Sequence, residues 1–254
     1  MSHLIFALGV FLLVFASSLA GLWLARLLPS HHLSKDSAKA IRLAIGLVAT
    51  IAALVLGLLI SSAKSSFDAI NNDLVHNAAN MIRLDSTLAQ YGPEAQALRA
   101  TLRRDYGEWI DLLVSRSTTR AAGLDSPGII LRMEEFQHSV AMLTPADDHQ
   151  RALRTRALAI ADEVFASRSL ALLQRGGSLP KALMFVLVFW LAIIFGTFGV
   201  LAPRNGSVVV AFLACALCAA GAVFLILEMD TPLDGIVRVS IGAMREALAR
   251  MGGV

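Results

Sequence analysis

Long uncharged apolar stretches break an otherwise polar chain in an uneven rhythm, two near its start and two near its end. They run from Leu4 to Ala25, Leu43 to Ala63, Ala182 to Ala202 and Gly206 to Leu227, and none contains Asp, Glu, Lys or Arg. Each is about as long as the roughly 20 residues a helix needs to cross the hydrocarbon core of a bilayer. Backbone amides cannot stay unpaired in lipid, so such stretches must be helices. The pattern predicts an all-α integral membrane protein with four transmembrane helices in a two-plus-two arrangement. A helical extramembrane domain is inserted between helices two and three. The segments are a first helix pair with a basic loop at 1–63, the helical domain at 64–178, a second hairpin at 179–229 and an amphipathic or interfacial segment at 230–254.

The first helix is expected to end between Arg26 and Pro29, before a polar loop carrying His31 and His32. The second has no stop signal: Phe67, Ile70, Leu74, Ala78, Met81, Leu84 and Leu88 continue beyond Ala63 at spacings of three and four. One long helix should therefore run to about Gln90, where Tyr91-Gly92-Pro93 breaks it. The next is expected from Pro93 to Thr119, with Leu98, Leu102, Tyr106, Trp109 and Leu113 on one stripe. A turn at Gly123 to Gly128 precedes a shorter helix through Met142. Thr144 reads as the cap of a further helix, with Pro145 at its first position and Asp147 near the positive end of its dipole, running to Leu173 before Gly176-Gly177. Ser178 and Pro180 lead into the third membrane helix, and Arg204-Asn205-Gly206 turns it into the fourth.

Charge changes this picture little. Only 16% of residues are charged and the net charge is +3. Lys64 to Lys181 holds 14 basic and 14 acidic residues, whereas Arg26, Lys35, Lys39 and Arg42 in the first loop face only Asp36. A basic loop of that kind sets topology or meets anionic headgroups, so nucleic acid is not an expected partner. The start resembles a signal peptide with Ser18-Leu19-Ala20 as a cleavage site. Its n-region lacks Lys and Arg, however, and the apolar run continues through Ala25, which favours a retained helix.

Candidate chemistry is sparse. Cys215 and Cys218 read as small residues on one helix face, with no further ligands for a zinc site. Glu134 and Glu135 point different ways, and His138 completes no metal set with them. No nucleophile elbow, zinc-protease motif or phosphate loop occurs. No catalytic residue, metal or cofactor is expected, and the protein is not expected to be an enzyme. No charged residue lies at mid-depth, which weighs against an ion-coupled pump.

Two features remain. Gly46, Thr50, Ala53, Gly57 and Ser61 form one narrow small-residue face of the second helix, leading on to Lys64 and Asp68, while Leu47, Ile51, Leu54, Val55, Leu58 and Leu59 lie off it. Such a face serves either as a close-packing seam or as a pore lining, and in an oligomer the two uses coexist. Near the end of the fourth helix, Glu228, Asp230 and Asp234 cluster around Pro232 and Gly235, followed by Arg238. They suit either a charged pore mouth or an interfacial turn in which Arg238 pairs with Asp234.

The exit of the second helix, S-S-A-K-S-S-F-D-A-I-N-N-D, resembles the stretch where a bestrophin membrane helix runs into a long cytosolic one. The segment D-T-P-L-D-G-I-V-R-V-S is similar to the D-x-P-x-x-G-x-x-x-V signature of the bacterial bestrophin-like family of unassigned function. Tyr106-Gly107-Glu108-Trp109 and Leu179-Pro180 add to the likeness, which spans nearly the whole chain. Bestrophins are pentameric anion channels with a central pore, so the resemblance implies a homo-oligomer with the second helix facing the axis. The phenylalanine-rich neck of animal bestrophins is missing, with Ile51, Leu54 and Leu58 the nearest apolar substitutes. No calcium clasp is recognisable outside Glu228 to Asp234, so anion selectivity and calcium gating are not carried over.

The leading expectation is an oligomeric channel passing inorganic ions in a plasma (inner) membrane. The alternative is a non-conducting scaffold or sensor whose helical domain, with Tyr106, Trp109 and Phe136, binds a partner. The basic first loop argues for an external domain. Lys64, Arg168, Arg175, Lys181, Arg238 and the bestrophin likeness argue for a cytoplasmic one, which is favoured.

Overall fold

The computed structural model describes residues 2–27, 35–114, 127–173, 180–231 and 239–252, and among these the regular structure is helical with no strand. In chain order the helices are α1 (Ser2–Leu24), α2 (Lys35–Tyr91), α3 (Gln96–Val114), α4 (Pro127–Ala141), α5 (Asp148–Leu173), α6 (Lys181–Leu201), α7 (Gly206–Asp230) and α8 (Gly242–Arg250). Four of them, α1, α2, α6 and α7, are long and apolar enough to cross a membrane. The chain divides into two compact units: residues 1–66 with 178–230, and residues 67–177 with 231–254.

In the first unit α1 packs against both α6 and α7. Its core joins Val10 and Val14 of α1, Ile45, Ala52, Leu59 and Ala63 of α2, Leu187 and Ile194 of α6, and Val223 and Ile226 of α7. The closest approach is between α1 and α6. A Cβ added at Gly21 would run into the backbone carbonyl of Gly196, and one at Gly199 into the carbonyl of Ser18. Without a hydrophobic force between helices in lipid, contact depends on how near two backbones can come, and only glycine admits this approach. Ser18 is fully buried here, and its hydroxyl is paired, donating to Phe15 O at 2.7 Å.

The second unit is built on the polar half of α2. Ile70, Leu74, Ala78, Met81, Leu84 and Leu88 are all buried, at the spacings read from the sequence. They meet Leu102, Tyr106 and Trp109 of α3, Phe136 and Val140 of α4, and Ala157, Ile160 and Val164 of α5. The α3 stripe also buries Ile110, whereas Leu98 and Leu113 are only partly covered. Asp85, 5% exposed, ties α2 to α3: Arg99 donates from Nε at 3.0 Å and from Nη2 at 2.8 Å, and Arg103 lies 3.3 Å away. The described C-terminal residues contribute apolar side chains to this core. Met244 and Ala247 of α8, with Met251, are buried, and α8 packs on α3.

Helix ends follow the sequence closely, with two corrections. Gly92 takes φ 128°, the left-handed region that glycine tolerates, and α2 stops at Tyr91 beside it. Asn205 caps α7, accepting from Val208 N–H at 3.3 Å. The cap of α5 is Asp147 rather than Thr144: its carboxylate accepts from Gln150 N–H at 2.7 Å, and Pro145 precedes the helix. A carboxylate at the dipole's positive end gains more than a hydroxyl there. Gln150 strengthens that end, accepting from Ala146 N–H at 2.7 Å and donating to Tyr91 O at 2.9 Å. Second, α4 already begins at Pro127, inside the turn expected at Gly123 to Gly128. Residues 123–126 of that turn, the end of α3 beyond Val114, the His31-His32 loop, Gly176-Gly177 and Ser178 lie outside the described residues.

Candidate functional site

The membrane half of α2 buries a single narrow stripe, Ile45, Ala52, Leu59 and Ala63. At 100° per residue, Gly46, Thr50, Ala53, Gly57 and Ser61 lie roughly 135° around the helix from that stripe. All five are exposed, as are Lys64 and Asp68. A Cβ added at Gly46 or Gly57 would meet nothing within 4 Å, so neither glycine serves a close approach within the chain. The Thr50 hydroxyl donates to Gly46 O at 2.9 Å. The neighbouring leucines are open too: Leu47, Leu54 and Leu58 are between 64% and 70% exposed. Within the eighteen-residue apolar core of each span, α2 is 17% buried, against 28% for each of the other three.

At the far end of α7 the two described acids are buried. Glu228 is 3% exposed and Asp230 9%. His3 of α1 reaches Glu228, with its Nδ1 3.2 Å from Oε1. The first turn of one membrane helix thus meets the last turn of another through a polar contact, where an uncompensated carboxylate would be costly. His3 escaped sequence reasoning because it stands just outside the first apolar stretch, and its partner is 225 residues away. Pro232, Asp234, Gly235 and Arg238, and with them most of the D-x-P signature, lie outside the described residues.

Cys215 and Cys218 are both free and exposed on α7. Among the described residues no group of His, Cys, Asp and Glu is placed to hold a metal ion. Tyr106, Trp109 and Phe136, considered above as partner contacts, are buried in the second unit's core instead. The small residues that do close a backbone approach, Ser18 and Gly21 of α1 with Gly196 and Gly199 of α6, were also missed. The signal was present as S-S-L-A-G and G-T-F-G, but two short motifs in separate helices do not announce that they face each other.

A family model described as the Bestrophin-like domain matches residues 12–244, from within α1 to the start of α8. The chain belongs to the bestrophin-like family. The resemblance read from the motifs is therefore met. Among solved structures, this bestrophin-like chain is similar to the crystal structure of a bacterial bestrophin homologue from Klebsiella pneumoniae that carries an isoleucine-to-threonine mutation. The TM-score is 0.67 at 14% identity, covering 96% of this chain and 98% of that one. At that identity the likeness concerns the fold. No curated protein matches the chain by sequence.

Proposed function

We propose that this protein is a homo-oligomeric ion channel of a plasma (inner) membrane. Its ions pass along an axis lined by the Gly46, Thr50, Ala53, Gly57 and Ser61 face of α2. The observation that carries this reading is the openness of that face within the chain, at the one membrane helix that buries least of its span. Repetition of α2 around an axis would bring the small residues to a lumen, where hydroxyl and backbone oxygens replace hydration. Ile51, Leu54 and Leu58, beside that face, would supply apolar rings that gate by dewetting. Lys64 and Asp68 would stand at the exit from the membrane, with the Glu228–Asp230 end of α7 and Pro232, Asp234, Gly235 and Arg238 beyond it bracing one mouth. By the family likeness the oligomer is a pentamer and residues 64–178 form a cytoplasmic domain. The reading assigns no catalytic or metal-binding role.

The test is flux from liposomes holding the purified protein, with cation and anion gradients imposed separately. Selective flux that Thr50→Trp or Gly57→Trp abolishes, in protein that keeps its oligomeric state, is the expected result. Unchanged flux in those correctly assembled variants would overturn the axis assignment. Absence of any flux across a range of pH and calcium would favour the scaffold reading.

A further inference from the structure

An open groove of about 370 Å³ lies in the first unit where α1 ends and α6 turns into α7. Leu19, Leu22, Trp23 and Val209 supply its apolar lining, and Arg26 and Arg204 its charge. The packing of α1 on α6 brings the two arginines to one level. These helices run parallel, with Phe6 against Phe185 near one end and Leu22 beside Gly199 near the other. Arg26 follows Leu22 by four residues and Arg204 follows Gly199 by five, so both emerge roughly one helical turn past that contact. Both are exposed, and among the described residues neither guanidinium has a hydrogen bond or an ion pair. The same end of the unit holds Lys39 and Arg42 of α2, against Asp36 as the acid among the described residues there. The opposite ends of α1 and α7 carry His3 with Glu228 and Asp230 instead. A second groove, on the other side of the α6–α7 turn, repeats the plan with Arg42 beside Phe198, Leu201 and Phe212.

We propose that the groove between α1 and the α6–α7 turn binds an anionic phospholipid of the surrounding bilayer, of the phosphatidylglycerol class, by its headgroup. Two guanidinium groups without carboxylates, at the end of helices long and apolar enough to span a membrane, call for an anion with an apolar body. A phosphodiester meets a guanidinium fork with two oxygens at once, and its acyl chains continue along Leu19, Leu22 and Val209. Openness suits such a guest, because only the headgroup is held while the chains stay in the bilayer. Trp23, 60% exposed beside the arginines, is the residue type that settles at headgroup depth. Gly206 in the first turn of α7 also lines the groove, so the positive end of that helix dipole adds to the two charges. A zwitterionic lipid offers the same phosphate but turns its own ammonium towards the arginines, which sets the discrimination. The inference does not depend on conduction.

Phosphatidylglycerol with brominated acyl chains is the probe, mixed with unbrominated phosphatidylcholine in vesicles holding the full-length protein. The mirror mixture brominates the phosphatidylcholine instead. Bromine quenches tryptophan at short range, and the difference between the protein and its Trp23→Phe variant isolates the tryptophan in the groove. Each arginine near an anionic headgroup is worth about fivefold in affinity, so Trp23 should prefer phosphatidylglycerol by roughly five- to twenty-fivefold. Arg26→Gln and Arg204→Gln should each lower that preference about fivefold. Lys39→Gln removes the same charge at the same end but outside the groove, and should leave the preference unchanged. Equal affinity for the two lipids, or an equal loss from Lys39→Gln, would overturn the inference. Inorganic phosphate should displace no more lipid than sodium chloride at matched ionic strength. Displacement peculiar to phosphate would overturn the lipid assignment and give the groove to a free anion. Should Arg26→Gln fail to insert, Arg204→Gln decides alone.

Discussion

Replacing Gly199 or Gly21 by alanine adds one methyl group at the tightest point between α1 and α6. At Gly199 the new carbon meets the Ser18 carbonyl, with Leu22 N at 3.0 Å and Gly21 Cα at 3.1 Å behind it. All three are backbone atoms, so no side chain can rotate away, and relief requires the helices to part. Parting strips contact from the seam that includes fully buried Ser18 and from Val14 beside it. Overpacking of this kind costs about 1–3 kcal/mol, and rigid backbone on both sides places these sites at the upper part of that range. A loss of about 2–3 kcal/mol multiplies the unfolding equilibrium constant by roughly 30 to 150. Gly46→Ala is the internal control, because its methyl meets nothing and alanine is the better helix former by about 1 kcal/mol. The assay is an SDS titration of each variant in mixed micelles, followed by helical circular dichroism. If Gly199→Ala unfolds at the wild-type midpoint, the close-packing argument is wrong.

Two further outcomes follow from the second unit. Asp85→Asn leaves Arg99 and Arg103 without their shared carboxylate and should destabilise the protein by about 3 kcal/mol in the same titration, since breaking one side of a buried pair strands the other. The Asp85 hydrogen bond raises the Arg99 pKa, so that contribution is lost only as pH rises into the guanidinium range and should vary little across neutral pH. Tyr106 differs: burial lifts its folded pKa above the ordinary 10.0, so folding favours the protonated form and stability falls as pH rises past that value. Tyr106→Phe should flatten the alkaline decline in thermal stability, and an unchanged decline would remove Tyr106 from its cause.

Much of this architecture was legible because single-helix periodicity carries it. The four spans, the run of α2 from Leu43 past Leu88 and its stop at Tyr91 beside Gly92 all depend on local pattern and backbone preference. So does the core stripe of α3, which a fold must bury whatever its partners. What could not be read were relations between helices. His3 and Glu228 are 225 residues apart, and neither position alone is unusual at a membrane boundary. The cap of α5 was misassigned between two acceptors three residues apart, Thr144 and Asp147, which only the helix's actual first turn distinguishes. Asn77 is less legible still, an ordinary polar residue until its amide is seen donating to Val164 O and Ser167 Oγ of α5.

The two sets of small residues argue together about α2. In sequence they look alike, glycines and hydroxyls at helical spacing in apolar surroundings. In the fold one set is consumed: Gly21, Gly196 and Gly199 meet across α1 and α6, and the cost of glycine in a helix is offset by backbone contact. The other set is offset by nothing within the chain. Gly46 and Gly57 each cost about 1 kcal/mol of helix stability relative to alanine and touch no neighbouring side. Lipid gives no reason for the expense, since acyl chains pack as well on alanine or leucine. On the function proposed above, the compensation comes from outside the protomer, either as a second copy's backbone drawn close or as a lumen kept wide and lined with oxygen. Tryptophan at Gly57 separates these outcomes. It blocks flux without dissociating the oligomer if the face lines a lumen, and dissociates the oligomer if the face is the contact itself.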